Sequence, residues 1–289
     1  MKNILFFTLY IIFFAVLSSL VFTLLYMQFD EQPMLALNKA IKYGAILICA
    51  VFIIPALKIN KLYQREIVGY LESKTEFMLN ICKGFVISLV LMLPLIILFV
   101  SLGIRTLNFD LFNFNQYFIY TILYILFISF VISIIEESFF RGIMIQEEIN
   151  KISTFKIIIF SSVVYSLFHF IKIPLIVDDN ILWNTGLNEV LNIFLNFKDF
   201  LIIDAAITLL MFGILLGLIR VNFKTISYGI GIHSGFVFTI KTFKSNSSLN
   251  IESDYIYLLS NYDSFTGHLA TIWITTLILL YMIFIYKKK

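Results

Sequence analysis

The chain has 289 residues, of which 60% are apolar, 17% aromatic and 13% charged, with a formal charge of +3. Soluble domains average about 45–50% apolar and about 25% charged residues, so lipid is the solvent that suits this composition. The small charge is scattered over loops without a basic stripe, which argues against nucleic acid as a partner. Cys49 and Cys82 lack C-x-x-C spacing and sit in apolar stretches, so they read as small buried hydrophobes. With only four prolines and twelve glycines, and no linker, low-complexity tract or fixed repeat, residues 1–289 read as a single integral membrane domain.

A helix rising about 1.5 Å per residue needs about 20 apolar residues to cross about 30 Å of hydrocarbon. By that measure about eight runs qualify: 4–27, 37–57, 82–104, 114–135, 155–173, 200–219, 225–242 and 267–286. The fold class is therefore all-α, a polytopic bundle of about eight transmembrane helices, with spans four to seven as a central core and 1–105 and 267–286 as accessory segments. The first run follows Lys2 and exceeds the about 7–15 residues of a signal-peptide core, so it reads as an uncleaved helix. Between spans five and six, Leu187, Val190, Leu191 and Phe194 recur at helical spacing opposite Glu189, Asn192 and Asn196, which predicts an amphipathic helix on the outer interface.

With both termini in the cytoplasm, fourteen of the twenty-one basic residues fall on the inner side, among them Lys58, Lys74, Lys83, Arg141, Arg220 and Lys287. The opposite side carries acids such as Asp30, Glu31, Asp110, Asp178, Asp179, Asp199, Glu252, Asp254 and Asp263. The positive-inside rule then favours an even span count in a multi-pass protein of the cell membrane.

An ionisable group near the bilayer centre costs at least about 2.5–3.5 kcal/mol on insertion scales, so each one within a span calls for a reason. Span four ends in Glu136-Glu137-Ser138-Phe139-Phe140-Arg141-Gly142, and the apolar pattern continues beyond it, which predicts that the helix does too. Glu137 and Arg141 stand four apart in the favourable order for a structural ion pair. Glu136 points about 100° away, toward Ile132, Ser133, Phe139 and Phe140. Of three histidines, His169 follows Tyr165 in span five and His233 lies among small residues in span seven, where the close approach of two helices is expected. His268 stands at the outer start of span eight and reads as interfacial. Asp204 and Lys241 are expected to pair across two helices. Each of these residues alone has an ordinary packing explanation. Together, one acid and two imidazoles from separate helices form a set that either polarises water directly or, as two His and one Glu, holds a zinc ion with a fourth position open for water.

The motifs EESFFRG (Glu136, Glu137, Arg141), YSLFH (Tyr165, His169) and GIHSGFVF (His233) resemble, in order and separation, those of the CPBP family of intramembrane CAAX-type and bacteriocin-processing (Abi) proteases, over roughly 132–237. The resemblance implies an endopeptidase acting on a membrane-embedded peptide or lipidated protein within the lipid bilayer. Glu136 and His169 would activate water, His233 would assist, and Glu137, Arg141 and Tyr165 would support them. Zn2+ bound by Glu136, His169 and His233 is a candidate cofactor. Family members often carry a polar residue four positions after the second histidine to hold the oxyanion, whereas Val237 stands there and cannot donate. Tyr165 also replaces the usual phenylalanine. A catalytically silent member acting as a scaffold or immunity protein is the alternative. A transporter using these groups as an ion relay would be expected to show repeats or paired broken helices, and the sequence has neither.

Overall fold

The computed structural model describes residues 2–28, 36–60, 62–64, 68–108, 116–145, 154–170, 181–196 and 203–287. The acids expected at 30, 31, 110, 178, 179 and 199, the cations at 61, 65, 151, 288 and 289, and the span ends 114–115, 171–173 and 200–202 lie outside the described residues.

The chain is all-α and polytopic. Every apolar run named above contains a helix: α1 (Lys2–Tyr26), α2 (Leu37–Ile59), α3 (Lys74–Ser101), α4 (Gln116–Glu136), α5 (Thr154–His169), α7 (Ile203–Phe223), α8 (Ser227–Ser245) and α9 (His268–Lys287). The amphipathic segment is α6 (Thr185–Asn196). Among the described residues, five helices are long and apolar enough to cross a membrane, or six if α2, bent by 41°, counts as one span. The bend falls near Val51, whose carbonyl the ring of Pro55 excludes from the helical ladder. Of the remaining two, α5 is short at 16 residues, and α8 carries Ser227, Ser234, His233 and five more polar or basic residues among its 19. This is a multi-pass membrane protein.

The residues group into two compact units: 1–64 with 167–200, and 65–166 with 201–289. In the first unit α1 and α2 run antiparallel. The Ser18 hydroxyl donates to the Ile41 carbonyl at 2.7 Å and the Tyr10 phenol to the Cys49 carbonyl at 2.7 Å, and Phe14 stacks on Phe52. Such hydroxyl–carbonyl bonds join helices where lipid supplies no hydrophobic drive. α6 lays Gly186 and Val190 onto this pair. A Cβ at Gly186 would come within 2.2 Å of the Thr23 hydroxyl, and Val190 packs on Leu37 and Ile41.

The second unit is built around α8. α3 runs beside α8 in the same direction, with Gly84 at Gly231 and Ser88 at Gly235. A Cβ at Gly231 would lie 2.2 Å from the Ile81 carbonyl and one at Gly235 would lie 1.6 Å from the Ser88 hydroxyl. Small residues four apart therefore make the seam foreseen from the sequence. α4 comes down antiparallel, Phe130 stacking on Phe85 at 5.3 Å. α3 starts with a capping box of Ser73 and Glu76. At the far end β1 (Arg105–Leu107) and β2 (Ser247–Leu249) pair antiparallel. There the buried Arg105 guanidinium donates to the Ser247 hydroxyl and carbonyl and to the Ser264 carbonyl. Burial pushes its pKa below the ordinary arginine value, and the Asp263 carboxylate opposes that shift.

Two expectations need correction here. Asp204 does not pair with Lys241. Its carboxylate accepts from the Ser260 hydroxyl at 2.7 Å and from the Ala205 amide, while Lys241 is exposed. A serine one loop away satisfies the acid at lower desolvation cost than a lysine would. Cys82 is exposed and Cys49 half-buried, so an apolar neighbourhood in sequence does not imply an interior position.

Candidate active site

Span four continues past Glu136 as expected, but not as α-helix. Residues Glu137–Ile143 form a π-helical segment, closed by a bond from the Met144 amide to the Phe139 carbonyl five residues back. Widened turns of this kind change the angle at which consecutive side chains leave the helix, and they recur at functional sites. Side chains of neighbouring helices take the carbonyls of this segment. The Ser161 hydroxyl of α5 donates to Phe140 at 2.8 Å, and Arg220 Nε of α7 donates to Arg141 at 3.2 Å.

α8 presents two faces about 200° apart, since two residues advance a helix by about that angle. Gly231 and Gly235 meet α3, whereas Gly229 and His233, four apart, turn to Glu137. His233 Nδ1 lies 3.0 Å from Glu137 Oε1, and Arg141 Nη1 lies 3.4 Å from the same oxygen. All three side chains are buried, at 2% exposure or less. The other Glu137 oxygen lies against Gly229, where a Cβ would approach it to 2.8 Å, so glycine there is a steric requirement of the carboxylate. On the opposite edge of the imidazole, His233 Nε2 lies 3.7 Å from Glu136 Oε2, and Glu136 retains 24% exposure. Phe212 packs edge-on to the imidazole at 5.3 Å between ring centres.

Arg141 is held on three sides. Its guanidinium lies 4.3 Å above the Tyr165 ring, Nη2 donates to the Gly213 carbonyl at 3.3 Å, and Nη1 faces Glu137. Tyr165 in turn meets Phe140 edge-on, so its ring serves as a cation platform. The charges of Glu137 and Arg141 cancel inside the unit, which is the condition under which buried ions are tolerated.

Glu136, Glu137, Arg141, Tyr165 and His233 thus come together in the second unit. His169, half-buried at the end of α5, belongs to the first unit, and Val237, one turn beyond His233, brings an apolar side chain. Sequence reasoning read Arg220 as a solvated inner cation, but it is 4% exposed and grips the π-helical segment. The Arg220 guanidinium also passes over Gly69, where φ is +89° and a Cβ would come within 3.0 Å of it, so both backbone and space there suit glycine. Gly229 and Phe212 were not singled out either. The i, i+4 spacing of Gly229 and His233 was the available signal.

Among the described residues no group of three or more His, Cys, Asp or Glu side chains is arranged to hold a metal ion. Catalytic zinc takes three protein ligands; of the three residues expected to supply them, Glu136 and His233 come together, and His169 belongs to the first unit.

A carboxylate that accepts from Nδ1 fixes the imidazole tautomer, leaving Nε2 to exchange a proton with whatever faces it. Here that group is a second carboxylate, Glu136, at the more open side. Glu136 faces that nitrogen at 3.7 Å while Glu137 holds the ring from its other edge.

No curated protein and no solved structure matches the chain. Residues 118–239 match the family model described as type II CAAX prenyl endopeptidase Rce1-like, a stretch that runs from α4 into α8 and includes Glu136, Glu137, Arg141, Tyr165 and His233. Over this segment, less than half of its length, the chain is similar to the intramembrane CAAX-type endopeptidases.

Proposed function

We propose that the protein hydrolyses a peptide bond in a membrane-embedded peptide or lipidated protein, such as the C-terminal segment of a prenylated one. Glu136, with His169 as second base, accepts a proton from water as the water oxygen attacks the scissile carbonyl. His233, with its Nδ1–H held by Glu137 and a second proton on Nε2, faces the developing oxyanion, a role that Val237 cannot share. The C–N bond then breaks, and the proton passes from Glu136 to the leaving nitrogen. Glu137, Arg141 and Tyr165 hold His233 and touch no substrate. The observation that carries this reading is the buried Glu137–His233 bond of 3.0 Å with Glu136 at the other imidazole nitrogen. We place both termini in the cytoplasm because, within the second unit, Lys74, Lys83 and Lys287 stand toward one set of helix ends.

The test is cleavage of a library of membrane-associated peptides in proteoliposomes by wild type, Glu136→Ala and His169→Ala, each with and without chelator. Cleavage by wild type that both substitutions reduce by about 10²-fold or more supports the assignment, and loss with chelator would add a metal to it. Val237 favours a second reading, a silent member that serves as a scaffold or immunity protein. No cleavage by any form, with normal cellular function in both variants, would establish that reading instead.

A further inference from the structure

The second unit carries a groove of about 960 Å³ between α3, α7, α8 and α9, on a face of α8 about 100° round from His233. Its floor is Leu215, Ile219 and Ile232, all buried, and its rim includes Val86, Ile87 and Leu280, all exposed to the surroundings of the spans. The wall is apolar along its length and charged at one end only. Lys83 lies in the wall, and Lys74, Lys224 and Lys287 stand at the same end, where α3 begins and where α7 and α9 finish. All four are exposed and none is in an ion pair among the described residues. The acids nearby are already engaged: Glu72 accepts from Asn80 and Thr225, and Glu76 closes the capping box with Ser73. At the opposite end the Trp273 indole is tied to the Leu91 carbonyl, and the loop beyond carries Glu252, Asp254 and Asp263.

An occupant matching this pattern has a long apolar body and one anionic end. We propose that the groove binds one anionic phospholipid, its acyl chains along Leu215, Ile219 and Ile232 and its phosphate at Lys83. In a bilayer the contents of an apolar cleft are decided by packing and by charge at the headgroup level, because hydrocarbon surrounds it on every open side. Four unpaired cations at that level select a negative headgroup over a zwitterionic one. The site is separate from the candidate active site and does not depend on the proposed hydrolysis.

The full chain, reconstituted in vesicles of equal parts dioleoylphosphatidylglycerol and dioleoylphosphatidylcholine and then extracted into mild detergent, is examined by native mass spectrometry. Wild type is expected to retain one phosphatidylglycerol under conditions that strip phosphatidylcholine. Lys83→Glu is expected to lower that retention about tenfold, and Ile87→Trp, which fills the cleft, to abolish retention of either lipid. Lys83 and Ile87 are both exposed, and a melting temperature equal to wild type confirms that the variants fold. Retained lipid that mirrors the vesicle composition, retention unchanged in both variants, or a bound peptide or second copy of the chain in place of lipid would overturn the proposal.

Discussion

The two units use polarity in opposite ways. In the first, the buried polar groups of α1, Ser18, Ser19 and Thr23, are hydroxyls that donate to carbonyls of α1 and α2. In the second, Glu137, Arg141, Arg220, Arg105 and His233 are all buried. Hydroxyls joined to carbonyls are a low-cost means of holding helices together in lipid. Buried ions are not, because several kcal/mol of desolvation per ion must be offset by their partners. Apart from Arg105 at the β1–β2 end, that cost is carried where α4, α5, α7 and α8 converge, which is where the family match falls. The difference separates a helix pair, α1 and α2, held by hydroxyl–carbonyl bonds from a unit that also buries ions.

Removing one member of the buried ion pair should give the largest stability effect. Arg141→Ala leaves Glu137 with His233 but without its cation at 1% exposure and is expected to cost about 3–5 kcal/mol, read as a lower melting temperature in detergent together with lost cleavage. Gly231→Ala places a methyl group against the Ile81 carbonyl and should cost about 1–3 kcal/mol, again visible as a lower melting temperature. In the first unit, Ser18→Ala removes a single hydroxyl–carbonyl bond, with an expected loss of about 1 kcal/mol and cleavage per folded molecule equal to wild type. Activity loss from Ser18→Ala comparable with that from Arg141→Ala would erase the contrast between the units.

The positions of the helices were legible because period and length suffice when the solvent is hydrocarbon: all eight apolar runs contain helices, and the amphipathic α6 was visible from Leu187, Val190 and Leu191. The polar cluster was legible at Glu136, Glu137, Arg141 and His233, since each is costly in lipid. Two features were not. The π-helical turn at 137–143 leaves no mark in hydrophobic periodicity, so the angle between Glu136 and Glu137, and hence the placement of His233 between them, could not be read from α-helical spacing. Arg220 looked like a loop cation because a charge at a span end has two fates, solvation or burial against carbonyls, and only the third dimension decides between them.

The central claim is that Glu137 sets the tautomer and orientation of His233 for hydrolysis. It is tested most directly by the cleavage rate of Glu137→Gln in proteoliposomes, measured beside its melting temperature. The account predicts a rate lower by about 10²–10⁴-fold, with the protein still folded. Cleavage at the wild-type rate by the folded variant would contradict it.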